Sequence, residues 1–205
     1  LALEQFVENY DPIDPWLWRG SRENIKLGSD NPDQVPFIAP LDAKYEYRLR
    51  GRRNTVKFIS FGTYYGKDYG KSGRSGCGGS LEGDSLQLDA EGRFEIAISV
   101  EPRPGNWLPM DPDTYQLIVR QVFLDRANEK LADLELVRVS PTEDATVMDL
   151  PTFNANLTAA ARYLNGSVVV FNRWVDAFRA QPNTLAELPP HLRGPGHGDP
   201  TLVYY

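Results

Sequence analysis

The spacing at which apolar side chains recur changes once along this chain, and that change fixes its fold class. Through the first two thirds the spacing is two. In residues 44–50, Tyr45, Tyr47 and Leu49 alternate with Lys44, Glu46, Arg48 and Arg50, which predicts a strand with one face in water. Residues 93–100 alternate in the same way, with Phe94, Ile96, Ile98 and Val100 facing in. Residues 55–64 and 115–124 are apolar on both faces and read as strands covered on both sides. Shorter candidates are 37–41, 85–88 and 134–139, with turns such as Asp89-Ala90-Glu91-Gly92 between strands. After Pro141 the spacing becomes helical. Leu157, Ala161, Leu164, Phe171, Trp174, Val175 and Phe178 predict a helix over 152–181, with Thr152 as its cap and Pro182 as its stop. Asn165-Gly166 is a point at which that helix would divide in two.

Strands followed by a helix predict a mainly β fold: an antiparallel two-layer sandwich, jelly-roll-like, with a C-terminal helix packed outside. The expected layout is one domain with a lead-in at 1–35, a β core at 36–140, a helical segment at 151–181 and an irregular tail at 182–205 that enters a further strand. The chain reads as a piece of a longer protein. Residues 1–10 suit a short amphipathic helix, broken by Asp11-Pro12-Ile13-Asp14-Pro15. Residues 62–83 hold eight glycines and predict a mobile loop, one suited to close over a pocket as a lid.

Charge removes one class of partner. The 22 basic and 28 acidic side chains leave a net charge of −6, which repels a phosphate backbone and argues against nucleic acid. The basic run Arg50-Gly51-Arg52-Arg53 is too short to reverse this and reads as a solvated turn. The single cysteine, Cys77, allows no internal disulfide and fits a reducing, cytoplasmic compartment, with export left open. No run approaches the ~18 apolar residues of a membrane helix, and no signal peptide is visible.

The candidate site residues centre on the segment from Gly105 to Gln121. Arg120 shares its strand face with Ile118 and Val122, and a guanidinium so placed must be paired. It would anchor a carboxylate, phosphate or sulfate of a ligand, or else form an ion pair with Glu95 or Glu101. Asn106 and Trp107 would form a pocket rim, the amide fixing a polar group and the indole covering a sugar or apolar ring. The alternative is a turn residue beside a core plug. Asp30, Asn31 and Asp33 have the spacing of a calcium loop but lack its glycine and final glutamate, so an ordinary turn and no metal site are expected. His197 and Asp199 are weak candidates for acid–base work, and with His191 the only other histidine, no three-histidine zinc site fits within the chain. Cys77 has no histidine near it in sequence and reads as unreactive. Gly62, Gly66, Gly70 and Lys67 lack the order of a P-loop, and no cofactor fingerprint is present. Trp16 and Trp18 would form a stacking platform or cover a sandwich edge, and Phe171, Trp174 and Phe178 a core or interface.

Four stretches in order carry a likeness to a known family. They are Asn31-Pro32-Asp33 through Tyr47-Arg48-Leu49-Arg50-Gly51 to Val56-Lys57-Phe58; Leu88-Asp89 with Gly92-Arg93-Phe94-Glu95; Gly105-Asn106-Trp107-Leu108-Pro109 leading to Val119-Arg120-Gln121; and Gln181-Pro182-Asn183 with Gly198-Asp199-Pro200 and Tyr204-Tyr205. On these the chain resembles the bacterial domain of unknown function 1214, often found beside domain of unknown function 1254. The resemblance implies a jelly-roll-like domain and brings no catalytic set. The family's Gly-Gly-Asp-Pro stands here as His197-Gly198-Asp199-Pro200.

Three readings follow. The first is a binding domain that takes a small polar or anionic metabolite, or a carbohydrate, in a pocket at one end of the sandwich. The second is a hydrolase or lyase completed by residues outside this chain. The third is an interaction or oligomerisation module that meets a partner domain or a second subunit.

Overall fold

The strand with the strongest apolar pattern becomes the centre of a sheet. β8 (Thr114–Val122) pairs on one side with β2 (Gln34–Pro40) and on the other with β4 (Phe58–Tyr65), so that Val119 lies between Phe37 and Phe61. Outside these run β1 (Trp18–Arg19) and β5 (Gly76–Glu82), giving the order β1-β2-β8-β4-β5. The second sheet has four strands in the order β7-β6-β3-β9, built from β3 (Tyr47–Arg52), β6 (Arg93–Ser99), β7 (Asn106–Pro109) and β9 (Asp133–Arg138). The computed structural model describes residues 1–26, 31–69, 71, 74–139 and 148–184.

The two sheets form a sandwich, as the alternation predicts. Tyr47, Leu49, Phe94, Ile96 and Ile98 from one sheet meet Phe61, Leu117 and Val119 from the other in one buried cluster. Each fully buried aliphatic or aromatic side chain there contributes about 1.5–3 kcal/mol. Pairing is antiparallel except between β6 and β7, which run parallel. The outer face of the five-stranded sheet is covered by helix α1 (Leu150–Arg179) and by a single π-helical turn at Glu4–Glu8. Phe6, Tyr64, Tyr115, Tyr163 and Trp174 make that second core. Helix α1 opens on Asp149, whose carboxylate accepts from the Thr152 amide at 2.8 Å, so the cap lies three residues before Thr152.

Several expectations change. Within the stretch 62–83, residues 62–65 are the end of β4 and residues 76–82 are all of β5, paired antiparallel where a loop was expected. Residues 83–85 form a single 3₁₀ turn where a strand was expected over 85–88. Strand β1 falls inside the supposed lead-in, and β7 was not foreseen as a strand. Val100 lies past the end of β6 and is 37% exposed. Helix α1 is unbroken at Asn165-Gly166. Gly166 is instead where the chain before it presses closest: a Cβ there would sit 1.7 Å from the Asp68 carbonyl oxygen. Trp16 and Trp18 part company, Trp18 being buried under the sheet edge and Trp16 exposed with its indole nitrogen on Asn9. The tail at 185–205, with its expected strand, lies outside the described residues.

Candidate functional site

The alternation of β8 separates the residues that the sequence grouped together. Arg120, Ile118 and Gln116 point away from the sandwich core, toward the face covered by α1. Arg120 is buried, its Nη1 donates to the Tyr64 hydroxyl at 2.6 Å, and its guanidinium stands 5.4 Å from that ring's centre. Four residues earlier on the same strand face, Gln5 Nε2 donates to Gln116 Oε1 at 2.6 Å. Burial pushes the pKa of Tyr115, nearby in this second core, far above the ordinary phenol value, so it stays neutral. Neither expected carboxylate is a partner of Arg120: Glu95 pairs with Arg48 and Arg50 on the other sheet.

Asn106 and Trp107 lie on β7, in the other sheet, and form no pocket with Arg120. The Asn106 amide is consumed by backbone. Its Oδ1 accepts from Gln87 N at 2.8 Å, and its Nδ2 donates to Gln87 O at 3.0 Å and Glu95 O at 3.1 Å. The Trp107 indole is half-buried and donates to Ser99 Oγ at 3.1 Å. Both residues pin β7 to β6. Asn106→Ala is therefore expected to destabilise the fold by about 1 kcal/mol, measured by urea unfolding, because three backbone groups on the sheet surface exchange a protein partner for water. His197 and Asp199 lie outside the described residues, as does Asp30. Asn31 Oδ1 caps the Asp33 amide and Asp33 pairs with Arg126, an ordinary turn. Cys77 is half-buried and its thiol donates to the Gly79 carbonyl.

Among the described residues, two concavities with room for a ligand stand out. The larger, about 950 Å³, is a groove over the outer face of the four-stranded sheet. Arg48, Arg50, Arg52 and Arg93 line it, with Asn106 at its rim. These cations are mostly spent. Arg50 Nε meets Glu95 Oε2 at 2.7 Å, and Arg93 meets Asp89 at 2.8 Å and Glu91 at 2.9 Å. Arg52 donates to the Glu91 carbonyl. Opposite charges on facing strands are what an exposed sheet surface uses to hold register, and that accounts for this face.

The smaller, about 710 Å³, lies at one end of the sandwich, where several parts of the chain meet, Asp42 among its lining residues. The chain leaving β4 supplies Gly66, Lys67 and Asp68; the entry to β8 supplies Asp113 and Thr114; α1 supplies Ala159 and Arg162. Arg74 closes one wall: it pairs with Asp113 and reaches Asp111 at 3.2 Å, and hydrogen bonding to Asp111 holds its pKa up. Lys67 and Arg162 differ from it. Among the described residues neither makes a hydrogen bond or an ion pair. Thr114 is 4% exposed, and its hydroxyl oxygen is buried with no hydrogen-bond partner among the described residues. A buried hydroxyl without a partner is uncommon and calls for one. The position of this pocket against α1 is set by the Gly166 contact with Asp68.

None of these three residues stood out in the sequence. Lys67 entered only as part of a failed P-loop pattern, and Arg162 and Thr114 gave no signal, because the pocket joins positions about 45 residues apart at each step, a distance no local motif spans.

The chain was compared with known proteins. No family model matches it, and no curated protein matches it. Among solved structures, it is similar to an uncharacterised protein from Burkholderia cenocepacia, with a TM-score of 0.83 and 36% sequence identity over 93% of this chain and 53% of that one. The chain thus spans about half the length of that protein. A protein from Vibrio parahaemolyticus matches 62% of this chain and 31% of its own at 20% identity and a TM-score of 0.34, too slight a likeness to carry argument. No helix among the described residues is long and apolar enough to cross a membrane.

Proposed function

We propose that this chain is a binding domain for a small anionic molecule, taken up in the pocket at the end of the sandwich. The observation that carries this reading is the meeting, in one concavity, of Lys67, Arg162 and the buried hydroxyl of Thr114, none of them with a hydrogen-bond or ion-pair partner among the described residues. Arg162 offers a planar fork to a carboxylate, phosphate or sulfate, and Lys67 a mobile point charge from the opposite wall. The Thr114 hydroxyl would satisfy a donor or acceptor of the ligand that reaches the floor. Among the described residues no aromatic ring lines the pocket, which favours a charged ligand over one held by stacking on a sugar face. The resemblance to the domain of unknown function 1214 belongs to the same proposal and adds no activity to it.

The test is calorimetric titration with inorganic phosphate, sulfate and citrate. At least one is expected to bind saturably. Lys67→Ala combined with Arg162→Ala is expected to weaken it tenfold or more, since each charge-assisted hydrogen bond contributes about 1.5–3 kcal/mol. Both side chains are exposed, so the variant should keep its melting temperature. Unchanged affinity in the double variant would move the site to the arginine-lined groove, and no binding of any probe would end the reading.

A further inference from the structure

Helix α1 carries two apolar stripes. The first, with Ala160, Tyr163, Val170 and Trp174, is buried on the sandwich. The second faces away from it. Leu150, Phe153, Leu157, Leu164, Val168 and Val175 are between 38% and 71% exposed. Ala161 is exposed on the same line. The steps along this stripe are of three, four or seven residues, and Leu150, Leu157 and Leu164 are seven apart, which is the spacing of a seam between two helices. No residue from Leu150 to Thr158 is fully buried, and contact with the second core begins at Ala159. An apolar strip of this length on a monomer marks a contact surface.

We propose that the seam pairs antiparallel with the same seam of a second copy of this chain. Three observations select that occupant. The first is that the seam is self-complementary in size about a two-fold axis beside Arg162 and Tyr163. Leu150 then meets Val175, Leu157 meets Val168, and Leu164 meets Ala161, a larger side chain against a smaller one each time, while Phe153 faces Asn172. The second is charge. Of the four charged residues of the helix, Arg162, Arg173 and Asp176 lie off the seam and Arg179 lies one turn past its last residue, so self-pairing buries none of them. The third is orientation. Antiparallel pairing opposes the helix dipoles, whereas parallel pairing would place like ends together.

The strip is about 38 Å long and about 10 Å wide, roughly 400 Å² per copy before side-chain relief is counted. That is below the ~800 Å² per partner of a standard interface, so the expected dimer is weak, with a dissociation constant on the order of 10–100 µM.

Sedimentation equilibrium up to about 500 µM, above that constant, should show a monomer–dimer equilibrium. Leu157→Glu is expected to raise the dissociation constant at least tenfold, because it sets a charge against Val168 in a closed apolar seam. Leu157 is 43% exposed, so the variant should fold, with circular dichroism and melting as the check. Orientation is read by disulfide formation in a Cys77→Ser background. Leu150→Cys mixed with Val175→Cys should cross-link, and Leu150→Cys alone should not. A monomer at the highest concentration would overturn the proposal and point to a different chain, or another part of a longer one, as the cover. A dimer indifferent to Leu157→Glu would remove the seam from it, and self-cross-linking of Leu150→Cys would reverse its direction.

Discussion

Gly166→Ala is expected to destabilise this protein, although an unbroken helix would ordinarily gain from the change. In a helix interior, alanine is favoured over glycine by about 1 kcal/mol. Here the new methyl carbon would stand 1.7 Å from the Asp68 carbonyl oxygen and 2.7 Å from its carbon, both backbone atoms that cannot turn aside. Overpacking of this kind costs typically about 1–3 kcal/mol and more where the backbone must move. The steric effect therefore wins, and a net loss of about 1–2 kcal/mol in urea unfolding is the expected result. The consequence reaches the pocket. Gly66, Lys67 and Asp68 form one of its walls, and pushing Asp68 off the helix would spread Lys67 away from Arg162. Phosphate, sulfate or citrate affinity should fall together with stability. A stabilised Gly166→Ala protein with unchanged binding would show that the glycine is tolerated rather than required.

That contact also measures what was legible in the chain. Asn165-Gly166 reads as a helix break when only local propensity is considered, since neither residue favours a helix. The side of the helix on which a glycine meets another backbone is a tertiary fact. The same reason hid β5. Gly76-Cys77-Gly78-Gly79 has no alternation to detect, yet its glycines are what lets the strand lie close to the chain around Pro109 and Asp111. A Cβ at Gly79 would come within 2.5 Å of the Pro109 carbonyl, and one at Gly78 within 2.8 Å of the Asp111 amide. A glycine inside a strand commonly marks such an approach, and that was the signal available. The sandwich core was read correctly from Tyr47, Leu49, Phe94, Ile96 and Ile98, because period-two burial is a local property of each strand. Asn106 was singled out for the right chemistry and the wrong partner: its amide does organise polar groups, but they are the protein's own backbone.

Arg120→Ala is expected to cost about 3–5 kcal/mol, the largest loss among the changes considered, and to leave small-anion binding at the end pocket untouched in whatever fraction stays folded. The guanidinium is 8% exposed between a sheet and a helix, and the Tyr64 hydroxyl is one of its partners. Removing the cation leaves that hydroxyl, and the space the long side chain filled, in a region closed to water. Two further variants apportion the loss. Tyr64→Phe removes only the hydroxyl and should cost about 1–2 kcal/mol, because the guanidinium keeps its other interactions. Arg120→Met combined with Tyr64→Phe should cost less than the sum of the separate changes, since a polar pair replaced by apolar groups of similar shape leaves neither partner stranded. Additive losses would mean that the two side chains act independently. An Arg120→Ala protein of wild-type stability that no longer binds phosphate, sulfate or citrate would restore the arginine as a ligand anchor and place the site under α1. A cation enclosed by Tyr64 and by the strand positions of Pro36 and Ser60 has no open path to solvent like that of Lys67 and Arg162, and a small anion must shed its own hydration to reach it.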